Sequence, residues 1–476
     1  MTLLVSFFSW TDILFFPLCF ATLFFILRNR ANNQPDPKIR KIYYRAFYFK
    51  VICVLSFTLI SQFYFKGGDT NLYFQATKDL RAAINDNPEN FWVILNTTKL
   101  SDETEELNNY FYYDNFDQDI TFNYMISTSN FFPGKLALFP SLLFGNSYLC
   151  INMFFGFFAL GGAIRLFKTF LYFYPNLYRE LAIACLFLPG VAFWSAGLLK
   201  DPITFGSIGI IMYGLISIIF MKKGYIISAL WILIASYLMF SIKIYILLVL
   251  VLSLLIWLFA EFNKLIKDRT LRQLFTVMTF VVGAIAGFFL LQYITSFEAA
   301  QQYQLDQLLA SAEKERAGYD AVAATLPGDS HFTINTSNPI AMIFGGFTAT
   351  FYRPFIWEIN SPIALLSAAE STIFLLLTLI LLLKLKPKKF FGTIFGDGMI
   401  LMCFVFATVF SVAVGTSTAN FGALSRYKIP CTAFYLIMLL LLYRKTKIEY
   451  PDWLKSIIQF AIPVKRKPYV RHSRVN

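Results

Sequence analysis

The chain has 476 residues, of which 57% are hydrophobic and only 14% are charged. Apolar runs long enough to span a bilayer recur from end to end. This indicates an all-α polytopic membrane protein and excludes a β-barrel, whose strands would show short alternating segments. The net charge of +13 fits attraction to anionic lipid and does not require nucleic-acid binding.

About eleven apolar runs, each of about 20 residues, are predicted to cross the membrane. The first run has neither a basic region before it nor a small-residue cleavage site, so we interpret it as a retained helix rather than a signal peptide. The six cysteines lie in or at the ends of such runs, so we expect neither disulfides nor a zinc site. The predicted spans are 4–27, 47–65, 146–166, 180–198, 203–221, 224–241, 244–260, 273–295, 362–383, 398–415 and 429–443.

Charge asymmetry predicts the orientation of these spans through the positive-inside rule. Segment 28–50 carries seven basic residues against one acid, and the tail from 444 carries nine against two. The loop 66–135 has the opposite bias, with eleven acids and five bases, as does 296–338, with six acids and two bases. These counts agree if the N-terminus is outside, the C-terminus is inside, and 339–357 enters the membrane without crossing it.

This topology divides the chain into three regions. Residues 1–46 form an extra N-terminal helix and a basic cytoplasmic loop, and residues 47–443 form the transmembrane core. Two external loops of that core, 66–135 and 296–361, are expected to carry amphipathic helices. Residues 444–476 are a basic cytoplasmic tail. We therefore expect a multi-pass membrane protein.

The second predicted span ends in the stretch FKGGDTNLYFQ, residues 65–75. Apolar side chains after it recur at helical spacing, which predicts an amphipathic helix lying on the outer surface. The residues on this stripe are Tyr73, Ala76, Leu80, Ala83 and Ile84.

Asp69 stands at the start of that helix, directly after Gly67 and Gly68. One interpretation is an N-cap, in which the carboxylate accepts hydrogen bonds from free backbone N–H groups. The other is a carboxylate held at the boundary of water and lipid, where it accepts a proton or binds a metal. The two glycines would then let a bulky substrate approach the backbone closely.

A second stretch on the predicted outer face is FWSAGLLKDP, residues 193–202. Asp201 followed by Pro202 is typical of a helix start, with the aspartate as N-cap. That interpretation does not explain Lys200, a cation on the side where cations are disfavoured. The alternative for Lys200 is a side chain that extends from a helix end to the interface.

A third outer stretch is FYRPFIWEINSP, residues 351–362. Arg353 and Glu358 flank aromatic side chains that include Trp357. Such a group is typical of an interfacial aromatic belt, although a belt requires neither charge. Glu370 lies two turns inside the following span. An acid at that depth is expected to have a cationic partner, for which Arg353 and Arg426 are the candidates.

The stretch NFGALSRYKIP, residues 420–430, adds Arg426 and Lys428 to the same face. Cations kept on the disfavoured face indicate an anionic ligand, and a lipid-linked phosphate or diphosphate is the simplest one. We expect Lys200, Arg353 and Arg426 to converge on one cavity open to the outer leaflet, with Glu370 near its wall. The predicted set of outer cations is Lys200, Lys243, Arg353, Arg426 and Lys428.

The arrangement resembles the GT-C class of polyprenyl-dependent membrane glycosyltransferases, with an acid after an early span and then a long external loop. The stretch LALFPSLLFGNSYLCINMFFGFFAL resembles the loop-to-third-helix region of that class. FWSAGLLKDP, YRPFIWE and RYKIP are similar to patterns in membrane proteins of bacterial surface-polysaccharide clusters, including O-antigen-polymerase (Wzy-like) types. This resemblance implies a multi-pass protein of the cytoplasmic (inner) membrane of a bacterium. The resemblance implies that Asp69 is the acidic site and Arg426 a phosphate-binding arginine. An extra helix precedes Asp69 and a paired DxD motif is absent, so metal dependence stays open.

The sequence thus predicts transfer or polymerisation of saccharide units from a polyprenyl-(di)phosphate-linked donor. Asp69 and Glu358 are the candidate catalytic carboxylates. Lys200, Arg353, Arg426 and Lys428 are the candidate phosphate-binding residues, supported by Asp201, Glu370 and Trp357. The expected partners are a polyprenyl-linked saccharide and anionic lipid, and a divalent cation is the one cofactor left open. Two alternatives remain: a lipid or saccharide transporter, and a non-catalytic scaffold of a secretion or motility system.

Overall fold

A computed structural model describes residues 10–65, 67–112, 119–268, 270–271, 313–314, 316–318, 331–335, 338–359 and 362–463. These residues are almost entirely helical, as the apolar runs predict. In chain order the first nine helices are α1 (Trp10–Asn32), α2 (Pro37–Ile60), α3 (Asp69–Asp86), α4 (Asn90–Asn96), α5 (Glu105–Tyr112), α6 (Asp119–Met125), α7 (Thr128–Phe144), α8 (Tyr148–Phe173) and α9 (Tyr178–Ala182). The other ten are α10 (Pro189–Trp194), α11 (Lys200–Ile219), α12 (Tyr225–Asn263), α13 (Pro339–Tyr352), α14 (Pro362–Lys384), α15 (Pro387–Gly396), α16 (Gly398–Ser417), α17 (Phe421–Tyr427), α18 (Ile429–Thr446) and α19 (Asp452–Ala461).

Eight helices in the described part of the chain are long and apolar enough to cross a membrane. The chain is therefore a multi-pass membrane protein by the length and composition of its helices. The predicted span 273–295 and most of the predicted external loop 296–338 lie outside the described residues. The eight helices are α1, α2 with its extension to Phe65, α8, α11, α12, α14, α16 and α18.

The predicted span 180–198 is not one helix, and this part of the prediction is wrong. A π-helical turn follows α9, Leu188 is extended, and α10 then covers only Pro189–Trp194. Pro189 lacks the backbone N–H that a continuing helix requires and restricts the residue before it. The apolar composition of this segment is compatible with a span, but the proline and Gly190 interrupt it.

Two buried charges satisfy the ends of the short helix α10. Glu370 accepts a hydrogen bond from the backbone N–H of Gly190 at 2.6 Å. Lys50 donates to the carbonyl of Ala192 and to the hydroxyl of Ser195, both at 2.8 Å. An anion at the start of a helix and a cation at its end complement the backbone dipoles, and no water is present in a bilayer to do so. Lys50, which the charge count includes in the basic segment 28–50, is therefore a buried residue of α2.

Helix α12 consists of two halves that meet at a kink. It contains 39 residues, and Lys243 in its middle has non-helical backbone angles. Lys243 reaches Asp201 at the start of α11, whereas Trp257 stacks on Phe220 just beyond the end of α11. Ile232 in the first half lies next to Gly214 of α11. Both halves of α12 therefore run beside α11, with Lys243 at the kink. These halves correspond to the two predicted runs 224–241 and 244–260.

Helix α3 forms where the amphipathic pattern predicts it, but its apolar stripe faces protein. Tyr73, Ala76, Leu80 and Ala83 are fully buried. Helix α7 covers this face, and a side chain at Gly134 would lie 3.2 Å from the Cβ of Ala76. The expectation of a helix lying on the membrane surface is therefore wrong. An apolar stripe with a period of 3.6 residues shows that one face of the helix is buried, but it does not show whether lipid or protein covers that face.

Candidate functional site

Two glycines with positive φ position Asp69 at the first turn of α3. Gly67 has φ of 141° and Gly68 has φ of 91°, values that side-chain-bearing residues rarely adopt. Gly68 is the N-cap, and the described contacts include no side-chain capping bond at this helix start. The Asp69 carboxylate instead accepts a hydrogen bond from Arg426 at 2.9 Å. The N-cap interpretation of Asp69 is therefore wrong.

Asp201 also pairs with cations instead of capping a helix. Helix α11 begins at Lys200, with Leu199 as the N-cap residue. The Asp201 carboxylate accepts from Lys243 Nζ at 2.7 Å and from Arg426 Nε at 3.2 Å. Its side chain is completely buried. The Asp201–Pro202 pair marks the helix start correctly, but the role assigned to the carboxylate is wrong.

Arg426 lies between the two carboxylates and joins three distant parts of the chain. Helix α17 carries it, and Asn420 caps that helix with hydrogen bonds to the N–H groups of Gly422 and Ala423. Burial alone would lower the pKa of Arg426, but the charges of Asp201 and Asp69 outweigh burial and raise it. The guanidinium is therefore a permanent cation. The described part of the chain contains no hydrogen-bond partner for its Nη1.

Lys200 and two tyrosines complete the surroundings of Asp69. Lys200 donates to Ser129 Oγ at 2.9 Å and to Asn130 Oδ1 at 2.6 Å, both neutral groups. It also interacts electrostatically with Asp69 and Arg426. The Tyr124 hydroxyl is hydrogen-bonded to Asp69, and Tyr73 lies 3.3 Å from that hydroxyl.

Burial raises the pKa of Asp69, but Arg426, Tyr124 and Lys200 together hold it below its ordinary value. Asp69 is therefore a carboxylate, not a carboxylic acid, at neutral pH. The hydrogen bonds from Arg426 and Tyr124 orient it, which leaves its other lone pairs for a ligand.

We call this group of five residues the Asp69 cluster: Asp69, Lys200, Asp201, Lys243 and Arg426. Counted with the ordinary charges of these side chains at pH 7, three cations and two carboxylates give it a formal net charge of +1. The exposed fraction of the side chain rises from 0% for Asp201 through 17% for Arg426 to 33% for Asp69. The cluster is thus accessible at Asp69 and closed at Asp201, so a ligand meets Asp69 first.

Arg353 belongs to a second group and has its own carboxylate. It pairs with Glu358 through two nitrogens, and Glu358 also accepts from the N–H of Phe355. The guanidinium lies 5.1 Å from the ring of Phe332 and 5.3 Å from that of Phe421, a residue of α17. Arg353 therefore packs beside α17, the helix that carries Arg426. The charge of Arg353 is neutralised by Glu358 and not by the carboxylates of the Asp69 cluster.

Glu358 and Trp357 lie at the edge of this second group. Burial raises the pKa of Glu358, but the hydrogen bonds from Arg353 and the N–H of Phe355, together with the charge of Arg353, lower it below its ordinary value. Trp357 stacks on Phe355 at 4.8 Å and is 80% exposed. An exposed tryptophan at the end of a span fits the aromatic-belt interpretation.

Glu370 and Lys428 form a third, buried pair. Both are nearly inaccessible, at 6% and 3% exposure. Lys428 interacts electrostatically with Glu370 and donates to Ser371 Oγ at 3.2 Å. Burial lowers the pKa of Lys428 to about 8, against the opposing effect of Glu370. The expectation that Arg353 or Arg426 is the partner of Glu370 is therefore wrong.

The described residues contain no group of three or more His, Cys, Asp or Glu side chains that could hold a metal ion. The carboxylates of Asp69 and Asp201 both face Arg426, so a guanidinium lies where a bridging metal would have to bind.

Sequence patterns missed four contributors to the site: Tyr73, Tyr124, Ser129 and Asn130. Tyr73 is on the apolar stripe of α3, and the other three lie at the ends of α6 and α7. A tyrosine, a serine and an asparagine in a polar loop give no signal of their own. Their role depends on the packing of α3 against α6 and α7.

A scan against protein-family models, a search among curated proteins and a search among solved structures each find no match for this chain.

Proposed function

We propose that the protein transfers or polymerises saccharide units from a polyprenyl-(di)phosphate-linked donor at the outer face of a bacterial cytoplasmic membrane. In this proposal the N-terminus and the Asp69 cluster are outside and the C-terminus is inside. The observation that carries the proposal is the partly exposed, ionised Asp69 carboxylate, held by Arg426 next to Lys200 at the ends of long apolar helices.

The chemistry of such a transfer needs a carboxylate and a cation side by side. The hydroxyl oxygen of the acceptor attacks the anomeric carbon, and the bond from that carbon to the lipid phosphate breaks. Asp69 takes the hydroxyl proton, and the phosphate leaves with the bonding electron pair. Lys200 and Nη1 of Arg426, which has no hydrogen-bond partner among the described residues, stabilise the charge that develops on the phosphate oxygens.

The net charge of the Asp69 cluster supports an anionic ligand. Arg426 and Lys243 pair with Asp69 and Asp201, so Lys200 is the cation without a carboxylate partner in the formal count of the cluster. Its partners Ser129 and Asn130 are neutral and lie in the first turn of α7. A phosphate at the membrane surface would supply the missing anion without breaking either ion pair.

Asp69→Asn tests this proposal. Asparagine keeps the size of the side chain and one acceptor for Arg426 but cannot take a proton. We expect surface polysaccharide to fall at least about a hundredfold, the lower range for loss of a general base, with unchanged protein abundance. The matched control is Asp86→Asn, an exposed carboxylate at the other end of α3. Wild-type product in Asp69→Asn would contradict the catalytic role.

A lipid or saccharide transporter is the second candidate, because one observation favours it. Transporters place buried polar groups and interrupted helices inside the membrane. Here α10 is a short helix held by Lys50 and Glu370, both buried. A translocation assay with a fluorescent polyprenyl-linked sugar in vesicles separates the two functions. A transferase lacking the Asp69 carboxylate would lose chain extension, whereas a transporter would lose passage of the lipid.

A scaffold of a secretion or motility system would need neither activity. It should tolerate Lys200→Gln, which leaves both ion pairs of Arg426 intact. Loss of polysaccharide in this variant, at normal protein abundance, would contradict a scaffold.

A further inference from the structure

Three further cations form a group that is separate from both the Asp69 cluster and the Arg353–Glu358 group. Arg30 belongs to α1, and Arg165 and Lys168 belong to α8. Arg30 interacts electrostatically with both of the other two, and Arg165 with Lys168. Within the part of the chain that the structure describes, none of the three has a carboxylate within 4 Å. Arg30 is exposed, and Arg165 and Lys168 are partly buried. Like charges at the end of apolar helices repel one another, and an anion between them would offset that repulsion.

Aromatic rings form the walls around these cations. The ammonium of Lys168 lies 5.9 Å from the ring centroid of Tyr43 and 5.6 Å from that of Tyr213. The guanidinium of Arg165 lies 5.8 Å from the ring of Trp231. Five helices therefore contribute to one site: α1, α2, α8, α11 and α12.

The hydroxyl of Tyr43 supplies an independent observation. The residue is 1% exposed, yet this hydroxyl has no hydrogen-bond partner among the described residues. The ring of Tyr43 lies 5.9 Å from the ammonium of Lys168, and the residue interacts electrostatically with Arg165 and Arg30. A buried hydroxyl without a partner is destabilising and uncommon in folded proteins. A ligand oxygen between the cations would satisfy it.

The site lies at the opposite end of the helix bundle from Asp69. Tyr148 at the start of α8 is hydrogen-bonded to Thr70, the residue after Asp69. Lys168 follows twenty residues later in the same helix, which is about 30 Å along its axis. That distance equals the thickness of the bilayer core, so the two sites belong to opposite leaflets.

We propose that Arg30, Arg165, Lys168 and Tyr43 bind the phosphate of an anionic phospholipid in the leaflet opposite the Asp69 cluster. The cations contact the phosphate oxygens, and the Tyr43 hydroxyl donates a hydrogen bond to one of them. A lipid fits better than a free phosphate because the surroundings are apolar and open. Trp231 is 41% exposed, and Phe25, about one turn before Arg30 in α1, is 59% exposed. The acyl chains would cover these side chains.

Binding of a short-chain phosphatidylglycerol to the purified full-length protein in neutral detergent tests this site. We expect the lipid to raise the Tm of the wild type, and phosphatidylcholine and inorganic phosphate to leave it unchanged. Arg165→Gln/Lys168→Gln should weaken the apparent affinity at least about tenfold, as expected for loss of charge-assisted hydrogen bonds. The matched control is Lys388→Gln/Lys389→Gln, which removes the same charge from two exposed lysines of α15.

Tyr43→Phe guards against a result that reflects misfolding. Because the hydroxyl has no partner in the protein, its removal should leave the Tm without lipid unchanged or slightly higher. The same variant should bind phosphatidylglycerol less tightly, by about threefold or more. If the Lys388→Gln/Lys389→Gln control loses as much affinity for phosphatidylglycerol as Arg165→Gln/Lys168→Gln, the lipid is attracted by the overall positive charge, and the proposed site is overturned. Unchanged affinity in Arg165→Gln/Lys168→Gln, or an equal response to inorganic phosphate, would overturn it as well.

Discussion

The charge state of Asp69 depends on Arg426, and this dependence has a defined sign. Burial alone raises the pKa of Asp69, but the nearby cation and hydrogen bonds lower it below 3.8, its ordinary value. A carboxylate with a lowered pKa stabilises the folded protein at pH values above its unfolded-state pKa. That contribution is lost only as the pH falls through the lower, folded-state pKa. The wild-type pair should therefore remain intact throughout the pH range in which cells live.

Arg426→Gln should move the acid limb of the pH profile upward. Without the cation, burial becomes the dominant influence on Asp69, so its carboxylate takes up a proton at a higher pH. The measurement is the pH dependence of residual product formation and of the Tm, each normalised to its maximum. The control is Arg444→Gln, an exposed arginine at the end of α18. Superimposable acid limbs for wild type and Arg426→Gln would show that Arg426 does not control Asp69.

At the scale of the single element, the start of α3 depends on the backbone of Gly68. A Cβ added at Gly68 would meet nothing within 4 Å, so only its φ of 91° opposes a larger residue. The same absence of neighbours holds for Gly392, which lies within helix α15 and has no positive φ. The two glycines therefore differ in backbone conformation and hardly in available space.

Gly68→Ala should destabilise the protein by about 1–3 kcal/mol, the range for a residue held in a disfavoured backbone region. Gly392→Ala should be neutral or stabilising, because alanine favours a helix over glycine by about 1 kcal/mol. Thermal unfolding in detergent measures both variants. Gly68→Ala should also reduce product formation, because it displaces Asp69 from Arg426. If Gly68→Ala has the same Tm as the wild type, the turn before α3 accommodates alanine without strain, and the prediction is contradicted.

Element-scale patterns also explain which spans the sequence predicts well. Helices α8, α11, α16 and α18 follow from uninterrupted apolar runs, since a bilayer requires continuous helices of that length. The prediction of one span at 180–198 is wrong because a proline in an apolar run is compatible with both a kinked span and a broken helix. Only the structure shows that Lys50 and Glu370 bind the ends of the short helix α10.

At the scale of the whole molecule, the proposed orientation sets which compartment each site faces. Reporter fusions after Asn33, Lys267 and Lys388 should report the cytoplasm, and a fusion after Asn108 the exterior, because basic loops are retained inside. Asn108 belongs to α5, which packs against α3, so it shares a compartment with Asp69. A cytoplasmic signal at Asn108 would reverse the orientation and remove the outer-face donor from the proposal.

The sequence by itself determines the class of this protein, since the length and apolarity of a span are local properties that a bilayer imposes on any chain. It also marks Asp69, Lys200 and Arg426 as unusual, because a charge beside lipid requires a reason. Only the tertiary structure decides which charges meet. Arg426 pairs with Asp201 across 225 residues and with Asp69 across 357, and no pattern in the sequence links them. Their contact depends on how α3, α11 and α17 pack, whereas Arg353 is neutralised by Glu358 five residues away.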